Sequence, residues 1–235
     1  MALRIALFIG ELRNTEDGSV KTVQKILAHL ENQKIPFMVL SPSTPIQWPY
    51  SYGKLYKLGA LPFPLYTGYY MSVPWQKSFY KVLDAFQPTL IHIGTPCPTG
   101  HLGRKYALSR HIPLMGVYHT HFISYFRYYH ASLFNSLGYY LMRRFYNSFN
   151  RLLVPTQTLI DELTQAGIQA PMQLWNRGVD HTLFNPTGRS QAWRDQIQAR
   201  DYPIILSVGR LVSEKGISVL AKAYELVKKS HPQSI

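Results

Sequence analysis

Short, nearly continuous apolar runs alternate along this chain with stretches in which apolar residues recur every three or four positions. The first run, Leu3–Ile9, predicts a strand that is buried on both faces, as in a parallel sheet. Helical spacing over Gly18–Glu31 and a second strand-like run at Pro36–Leu40 follow it. This βαβ order, repeated along the chain, predicts an α/β fold built on a doubly wound parallel sheet.

The same alternation continues to the last residues. Thr158, with Asp161 three positions later, resembles a capping box and predicts a helix that ends near Ala166. A polar stretch over residues 186–201 is interpreted as a linker, so that residues 1–185 form one domain and residues 202–235 begin another. Further strands are predicted at Thr89–Ile93, Pro113–Tyr118, Leu152–Val154, Met172–Leu174 and Pro203–Val208, and further helices at Trp75–Phe86, Gly100–Arg110, within Ser124–Asn150 and after Gly216.

Charge is distributed unevenly along the chain, whose net charge is +13. Between Asn32 and Ile160 there are 12 Lys and Arg against one acid, Asp84, a balance of +11. Such a bias predicts an anionic partner: a membrane surface, a phosphorylated substrate or a nucleic acid. The single cysteine, Cys97, excludes an internal disulfide. No apolar run reaches the roughly 18 residues of a spanning helix, so we expect a cytoplasmic protein, soluble or peripheral on the inner face of the membrane.

The loop between the predicted strand Pro203–Val208 and the last helix joins a glycine to two cations. Gly209 lets the backbone approach a ligand, and Arg210 and Lys215 offer a bidentate fork and a compact charge. The start of a helix adds free N–H groups, so the loop suits a diphosphate. The alternative, an ordinary solvated basic loop, is equally compatible with this spacing.

Two histidines follow the predicted strand Pro113–Tyr118. His119, with Thr120 beside it, stands where the carboxyl end of a parallel strand meets a ligand, although a lone histidine at a strand end is also common in cores. His119 and His121 form an H-x-H pair, but no carboxylate or thiolate at useful spacing completes a metal site, so none is expected.

Five segments, taken together, resemble glycosyltransferase family 4, a group of retaining enzymes with two Rossmann-like domains in the GT-B arrangement. GRLVSEKG at residues 209–216 is similar to the family's G-R-x-x-x-x-K-G, and NRGVDHTLFNP at residues 176–186 to its (N/R)-G-V-D-x-x-x-F-x-P. Softer matches are His119-Thr120, the helix start at residues 17–22, and LIHIGTP at residues 90–96. The residues in these motifs resemble most closely those of the subgroup of lipid-directed mannosyl-, glucosyl- and sulfoquinovosyltransferases.

The resemblance implies transfer of a hexose, with retention, from a UDP- or GDP-sugar to a hydroxyl of a lipid or glycan, without a bound cofactor or metal. Arg210, Lys215 and Gly209 would hold the diphosphate, and His119 would face the donor sugar as the catalytic residue. Gly18 would meet donor phosphate, while the side chains expected to line the cleft and acceptor site are Ser19, Lys21, His92 and Thr120.

Three departures from the family pattern qualify this interpretation. Gly18 is a single glycine where a Gly-Gly or Asn-Gly pair is common, and Gly94 stands where a second histidine is common. The family's E-x7-E segment does not occur, so we expect a chain truncated in its donor domain. A non-catalytic remnant that binds a membrane or a partner therefore remains an alternative. A nucleic-acid-binding α/β module is a further one, although no motif of that class is present.

An aromatic and basic stretch, Tyr125–Arg151, is the predicted membrane patch. It contains no acid, and rings at the headgroup level with cations above them are typical of interfacial anchors. The alternative is that the rings are the core face of ordinary helices. The cations are Arg127, Arg143, Arg144 and Arg151, and the rings include Tyr139, Tyr140, Phe145 and Tyr146.

Overall fold

The computed structural model describes residues 2–13, 17–45, 47–62, 70–118, 135–176, 178–209, 211 and 215–235. Its described residues divide into two compact units, the first ending at residue 176 and the second spanning residues 178–235. No helix within these ranges is long and apolar enough to cross a bilayer. His119, Thr120, Arg127 and Arg210 lie outside the described residues.

A seven-stranded sheet in which every neighbouring pair is parallel forms the centre of the first unit, which confirms the predicted fold class. In spatial order its strands are β3-β2-β1-β6-β7-β8-β9, with a separate antiparallel pair, β4 and β5. The strands are β1 (Ile5–Phe8), β2 (Phe37–Ser41), β3 (Gly53–Lys57), β4 (Ala60–Pro62), β5 (Tyr70–Ser72), β6 (Leu90–Ile93), β7 (Leu114–Val117), β8 (Arg151–Val154) and β9 (Met172–Leu174).

Helices cover both faces of this sheet. Those of the first unit are α1 (Gly18–Asn32), α2 (Phe79–Phe86), α3 (Pro98–Arg110), α4 (Asn135–Tyr146) and α5 (Gln157–Gln165). Alternate residues of a strand point to opposite faces. Ile5 and Leu7 of β1 accordingly belong to the core that contains Val23 and Leu27 of α1. Phe8 points the other way, toward Gly103 of α3, where an added Cβ would lie 2.5 Å from the Phe8 ring.

The order of the strands reverses direction between β1 and β6. Chain order runs outward from β1 to β2 and β3 on one side, and from β6 to β9 on the other. In open α/β sheets, ligands bind beyond the carboxyl ends of the strands at such a switch point. The loops that follow β1 and β6 are therefore the first place to look for a site.

Three expectations about local structure are corrected. Helix α2 begins at Phe79 and not at Trp75. The cap of α5 is Thr156, whose hydroxyl accepts a hydrogen bond from the Leu159 N–H, so the capping box predicted at Thr158 is wrong. The stretch predicted as a linker contains a 3-10 turn, Pro186–Gly188, and a short helix, α6 (Gln191–Gln196), and its role as a linker stays a prediction.

The third correction concerns Pro203–Val208, which is not a strand. A strand needs a ladder to a neighbour, and the described residues supply only a short contact with the last residue: Ile205 N–H to Ile235 O at 2.7 Å, and Ile235 N–H to Pro203 O at 3.0 Å. Leu206 and Val208 remain exposed. The predicted last helix is confirmed as α7 (Ile217–Ser230).

Candidate active site

The loops after β1 and β6 meet at the switch point of the sheet. Gly10 lies so close to the β6 loop that an added Cβ would be 3.1 Å from Cys97 Sγ and 3.4 Å from Thr95 Oγ1. Cys97 immediately precedes α3, and its Sγ accepts a hydrogen bond from the Thr95 hydroxyl. Larger residues at position 10 would press these two loops apart.

Glu11 ties the β1 loop to the β2 loop. Its Oε1 accepts hydrogen bonds from the N–H groups of Leu12 and Arg13 and, at 2.8 Å, from the hydroxyl of Ser43. Ser43 Oγ in turn accepts from the Leu12 N–H at 2.9 Å. Sequence reasoning missed this arrangement, because Glu11 and Ser43 are far apart in the chain. It joins the loops after β1 and β2 through hydrogen bonds that involve a charged group.

Asp17 caps the start of α1, beside the predicted contacts Gly18, Ser19 and Lys21. Its Oδ1 accepts from both the N–H and the hydroxyl of Ser19, each at 2.7 Å. Gly18 faces open space, since an added Cβ would meet nothing within 4 Å, and Lys21 is exposed one turn into the helix. Because the Asp17 carboxylate already occupies this helix end, an anion bound there would be repelled by it.

The structure places His92 in the core and not at the surface of the site. It is 3% exposed, and in the sheet it lies beside Leu7 of β1 and Met115 of β7. Burial lowers the pKa of His92 to about 4, so the ring is neutral at neutral pH. Its Nε2 has no hydrogen-bond partner among the described residues. The buried position of His92 therefore does not support the prediction that it contacts an acceptor.

Gly209 and Lys215 belong to the second unit, on the loop before α7. Lys215 is exposed and immediately precedes Gly216, the cap of the helix, whose φ of +64° is the left-handed conformation that favours glycine. Gly209 has open space around its Cα. The structure thus brings Lys215 to the start of a 14-residue helix, where the partial positive charge of the helix adds to that of the ammonium group.

The segment after β9 that resembles the family motif forms a turn held by Gly178 and Asp180. Gly178 adopts a φ of +68°, which residues other than glycine rarely adopt. Asp180 Oδ1 accepts from the Thr182 N–H at 3.0 Å and the Thr182 hydroxyl at 2.6 Å. The shape of this turn therefore depends on Gly178 and Asp180.

The predicted membrane patch is rearranged by the packing of α4. Phe145 and Tyr146 are each 2% exposed, so their expected role as interfacial rings is wrong: they belong to the core. Arg143 donates to the Ala166 carbonyl at 3.0 Å, and Arg151 to Gln173 Oε1 at 3.4 Å. Arg144 is exposed on α4.

Among the described residues, no three His, Cys, Asp or Glu side chains form a group suited to a metal ion.

A family model described as Glycosyltransferase Family 4 matches residues 17–183, more than half of the chain. Named GDP-mannose-dependent alpha-mannosyltransferases from Mycolicibacterium smegmatis and Corynebacterium glutamicum are 25% and 27% identical over 224 and 225 residues, which is 93% of this chain and 59% and 54% of theirs. The sulfoquinovosyl transferase SQD2 of Arabidopsis thaliana is 28% identical over 165 residues, 68% of this chain and 32% of its own. The chain thus spans little more than half the length of the mannosyltransferases.

Solved structures share the fold. A sucrose-phosphate synthase from Thermosynechococcus elongatus superposes with a TM-score of 0.66 at 18% identity, covering 94% of this chain and 59% of that one. A glycosyltransferase from Rickettsia africae superposes with a TM-score of 0.60 at 13% identity, covering 97% and 58%. The matches extend over nearly the whole chain and about three fifths of each larger GT-B structure.

Proposed function

Because the chain belongs to glycosyltransferase family 4, we propose that it carries the acceptor-side domain of a retaining hexosyltransferase and the beginning of its donor-side domain. The reaction is transfer of a hexose from a nucleoside diphosphate sugar to a hydroxyl of a lipid or glycan. The observation that carries the proposal is the family match over residues 17–183, which contains the switch-point helix α1 and the loop after β6.

Arg210 and Lys215 hold the diphosphate in this proposal. Supporting it, Lys215 is exposed at the start of α7, and Gly209 leaves room for a ligand to approach the backbone. The leaving diphosphate gains negative charge as the sugar departs, so fixed cations there stabilise the transition state more than the ground state.

His119 faces the donor sugar as the catalytic residue, with Thr120 beside it. Supporting this assignment, both residues come within three positions of the end of β7, and the neighbouring strand β6 flanks the switch point. A hydrogen bond from an imidazole or a hydroxyl can fix the orientation of the sugar, and orientation supplies much of the rate in such transfers.

Gly18, Ser19 and Lys21 line the acceptor side. The carboxylate of Asp17 at this helix end repels a phosphate but attracts a hydroxyl, which can donate a hydrogen bond to it. We therefore assign the turn to the acceptor and not to the donor phosphate first expected at Gly18.

GDP-mannose is the first donor to test, because two named relatives that match 93% of this chain are GDP-mannose-dependent. Titration calorimetry of the protein with GDP-mannose should show binding that weakens about tenfold or more in Lys215→Ala, since a charge-assisted contact to phosphate contributes roughly 1.5–3 kcal/mol. Lys229→Ala, in the last turn of the same helix, is the matched control. Equal affinity in both variants would exclude Lys215 from the donor site.

A further inference from the structure

The antiparallel pair β4 and β5 lies against both segments that meet at the switch point. Ser72 of β5 is buried against Thr99, in the first turn of α3, and their hydroxyl oxygens are 2.7 Å apart in a hydrogen bond. Two positions earlier on β5, the ring of Tyr70 lies under the Arg13 guanidinium, whose carbon is 5.0 Å from the ring centroid. Because Thr99 follows β6 and Arg13 follows β1, β5 contacts the chain beyond the carboxyl ends of both strands.

Hydrogen bonds hold the base of this pair in place. The Gly59 N–H donates to Gln76 Oε1 at 2.8 Å, and Gln76 Nε2 donates to the Gly59 carbonyl at 3.2 Å. The Val73 N–H donates to the same carbonyl at 2.9 Å. Tyr70 is 38% exposed on β5, so a ligand can reach its ring. A ring carried by strands that are already fixed loses little conformational entropy when a ligand binds.

Arg13 orients the Tyr70 ring from the loop after β1. The backbone of Arg13 is itself fixed, since its N–H donates to Glu11 Oε1 at 2.6 Å. The face of an aromatic ring attracts a cation, so the guanidinium restricts the orientations that the ring can adopt. The hydrogen bond between Glu11 and Ser43 therefore extends, through Arg13, to an exposed aromatic ring beside the candidate acceptor turn.

The charge of this segment disfavours an anionic ligand. Residues 11–21 contain three acids, Glu11, Glu16 and Asp17, and two basic residues, Arg13 and Lys21, a balance of −1 in a chain whose net charge is +13. A carboxylate such as that of Asp17 accepts a hydrogen bond from a hydroxyl, and a guanidinium donates to a hydroxyl oxygen. An aromatic ring adds an apolar surface with a polar rim. These groups together suit a neutral, polyhydroxylated ring.

We propose that Tyr70, oriented by Arg13, determines acceptor specificity by packing against the ring of a neutral sugar that carries the accepting hydroxyl. Tyr70 acts here on the acceptor of the proposed transfer, so its role rests on the proposed function and adds the acceptor class to it. The ring of Tyr70 covers the C–H groups of the sugar, while polar groups around it bind the hydroxyls. A free glycan and the headgroup of a glycolipid share this chemistry.

Nuclear magnetic resonance titration with methyl α-mannoside and methyl α-glucoside, without donor, tests the assignment of Tyr70. Affinity for the sugar that binds should fall about fivefold or more in Tyr70→Leu, which removes the ring but keeps an apolar side chain. Tyr70→Phe keeps the ring and should lose less. Tyr52→Leu is the matched control, because Tyr52 is 42% exposed and precedes β3 at the amino end of the sheet. It should leave the affinity unchanged.

Arg13 is tested as a positioning residue. Arg13→Gln should weaken binding of the sugar, and Arg13→Lys, which keeps a cation that can lie over the ring, should restore most of the affinity. A merely structural role predicts equal losses in both variants, together with a lower midpoint of urea unfolding. Affinity for GDP-mannose should stay at the wild-type value in all of these variants, because the proposed donor cations are Arg210 and Lys215.

Octyl α-mannoside, below its micelle concentration, separates the two sources of the sugar. Affinity equal to that of the methyl mannoside supports a glycan, tighter binding supports a glycolipid, and the loss in Tyr70→Leu should persist in either case. The proposal is overturned if neither methyl hexoside binds, if mannose 6-phosphate binds more tightly than methyl α-mannoside, or if Tyr52→Leu and Tyr70→Leu lose equally. Sugar binding that depends on Tyr70, in a protein that does not bind GDP-mannose or UDP-glucose, would instead contradict the proposed donor reaction alone.

Discussion

Acidification should destabilise the first unit through His92. The ring is buried beside Leu7 and Met115, and burial holds its pKa at about 4 against an ordinary value of 6.5. Above pH 6.5 the ring is neutral in both the folded and the unfolded protein and has no effect on the pH dependence. Below pH 6.5 the His92 ring binds a proton in the unfolded chain but not in the folded protein. The free energy of unfolding therefore falls as pH falls toward 4.

The magnitude follows from the two pKa values. A difference of about 2.5 pKa units corresponds to about 3.4 kcal/mol when the whole interval has been crossed, at 1.36 kcal/mol per unit. At pH 5 the loss should be about 2 kcal/mol, because the unfolded ring is then almost fully protonated and the folded ring almost fully neutral. A domain whose total stability is about 5–15 kcal/mol registers such a change easily.

Urea unfolding followed by circular dichroism at pH 7.5 and pH 5 measures the effect. His92→Leu removes the titrating ring and should reduce the loss of stability between these two pH values by about 2 kcal/mol. His29→Gln changes an exposed histidine of α1 and is the matched control. His101 also has a pKa lowered by burial, so the difference between wild type and variant, and not the total loss, is the quantity to compare. An equal loss in wild type and His92→Leu would refute the reasoning.

Two further predictions test the fold itself. Gly103→Ala should destabilise the protein by about 1–3 kcal/mol in urea unfolding, because the new Cβ would lie 2.5 Å from the Phe8 ring. Gly188→Ala is the control and should have little effect, since no atom lies within 4 Å of its added Cβ. A Gly103→Ala variant more stable than wild type would show that α3 does not approach β1 this closely. Thr156→Ala should lower the free energy of unfolding by about 1 kcal/mol, because it removes the cap of α5, and Thr158→Ala should lower it by less. A larger loss in Thr158→Ala would support the capping box predicted from the sequence.

The centre of the sheet was predictable from sequence because its strands are buried on both faces. Such strands must be apolar at nearly every position, so Leu3–Ile9 and Thr89–Ile93 contain β1 and β6 within two residues of each end. The helix α1 was predictable for a related reason, since its apolar residues face one side of that sheet.

The errors share a dependence on partners that the local sequence does not contain. Pro203–Val208 has the apolar pattern of a strand, but pairing is decided by a neighbour elsewhere. In α4, composition indicates rings and cations but not which side meets the core, and packing buries Phe145 and Tyr146 while it exposes Tyr140. The hydrogen bond between Glu11 and Ser43 joins residues 32 positions apart, which no local pattern indicates.

The residues of the candidate site were predicted mainly from the resemblance to the family and less from physical arguments about the residues themselves. Gly209 and Lys215 lie on the predicted loop before a helix, and Ser19 lies at the predicted helix start. Their roles, and those of His119 and Arg210, remain predictions. The structure adds the Asp17 cap, whose carboxylate disfavours an anion at that helix end.

The most direct test of the central claim is the anomeric configuration of a transferred hexose. The protein, supplied in trans with a polypeptide that carries the rest of the family's donor domain and its E-x7-E segment, would be incubated with GDP-mannose and, separately, with UDP-glucose in the presence of lipid and glycan acceptors. The product linkage would be read by nuclear magnetic resonance. A retaining transferase predicts that the hexose keeps the α configuration it has in the donor. A β-linked product, or no transfer from any nucleoside diphosphate hexose, would contradict the account.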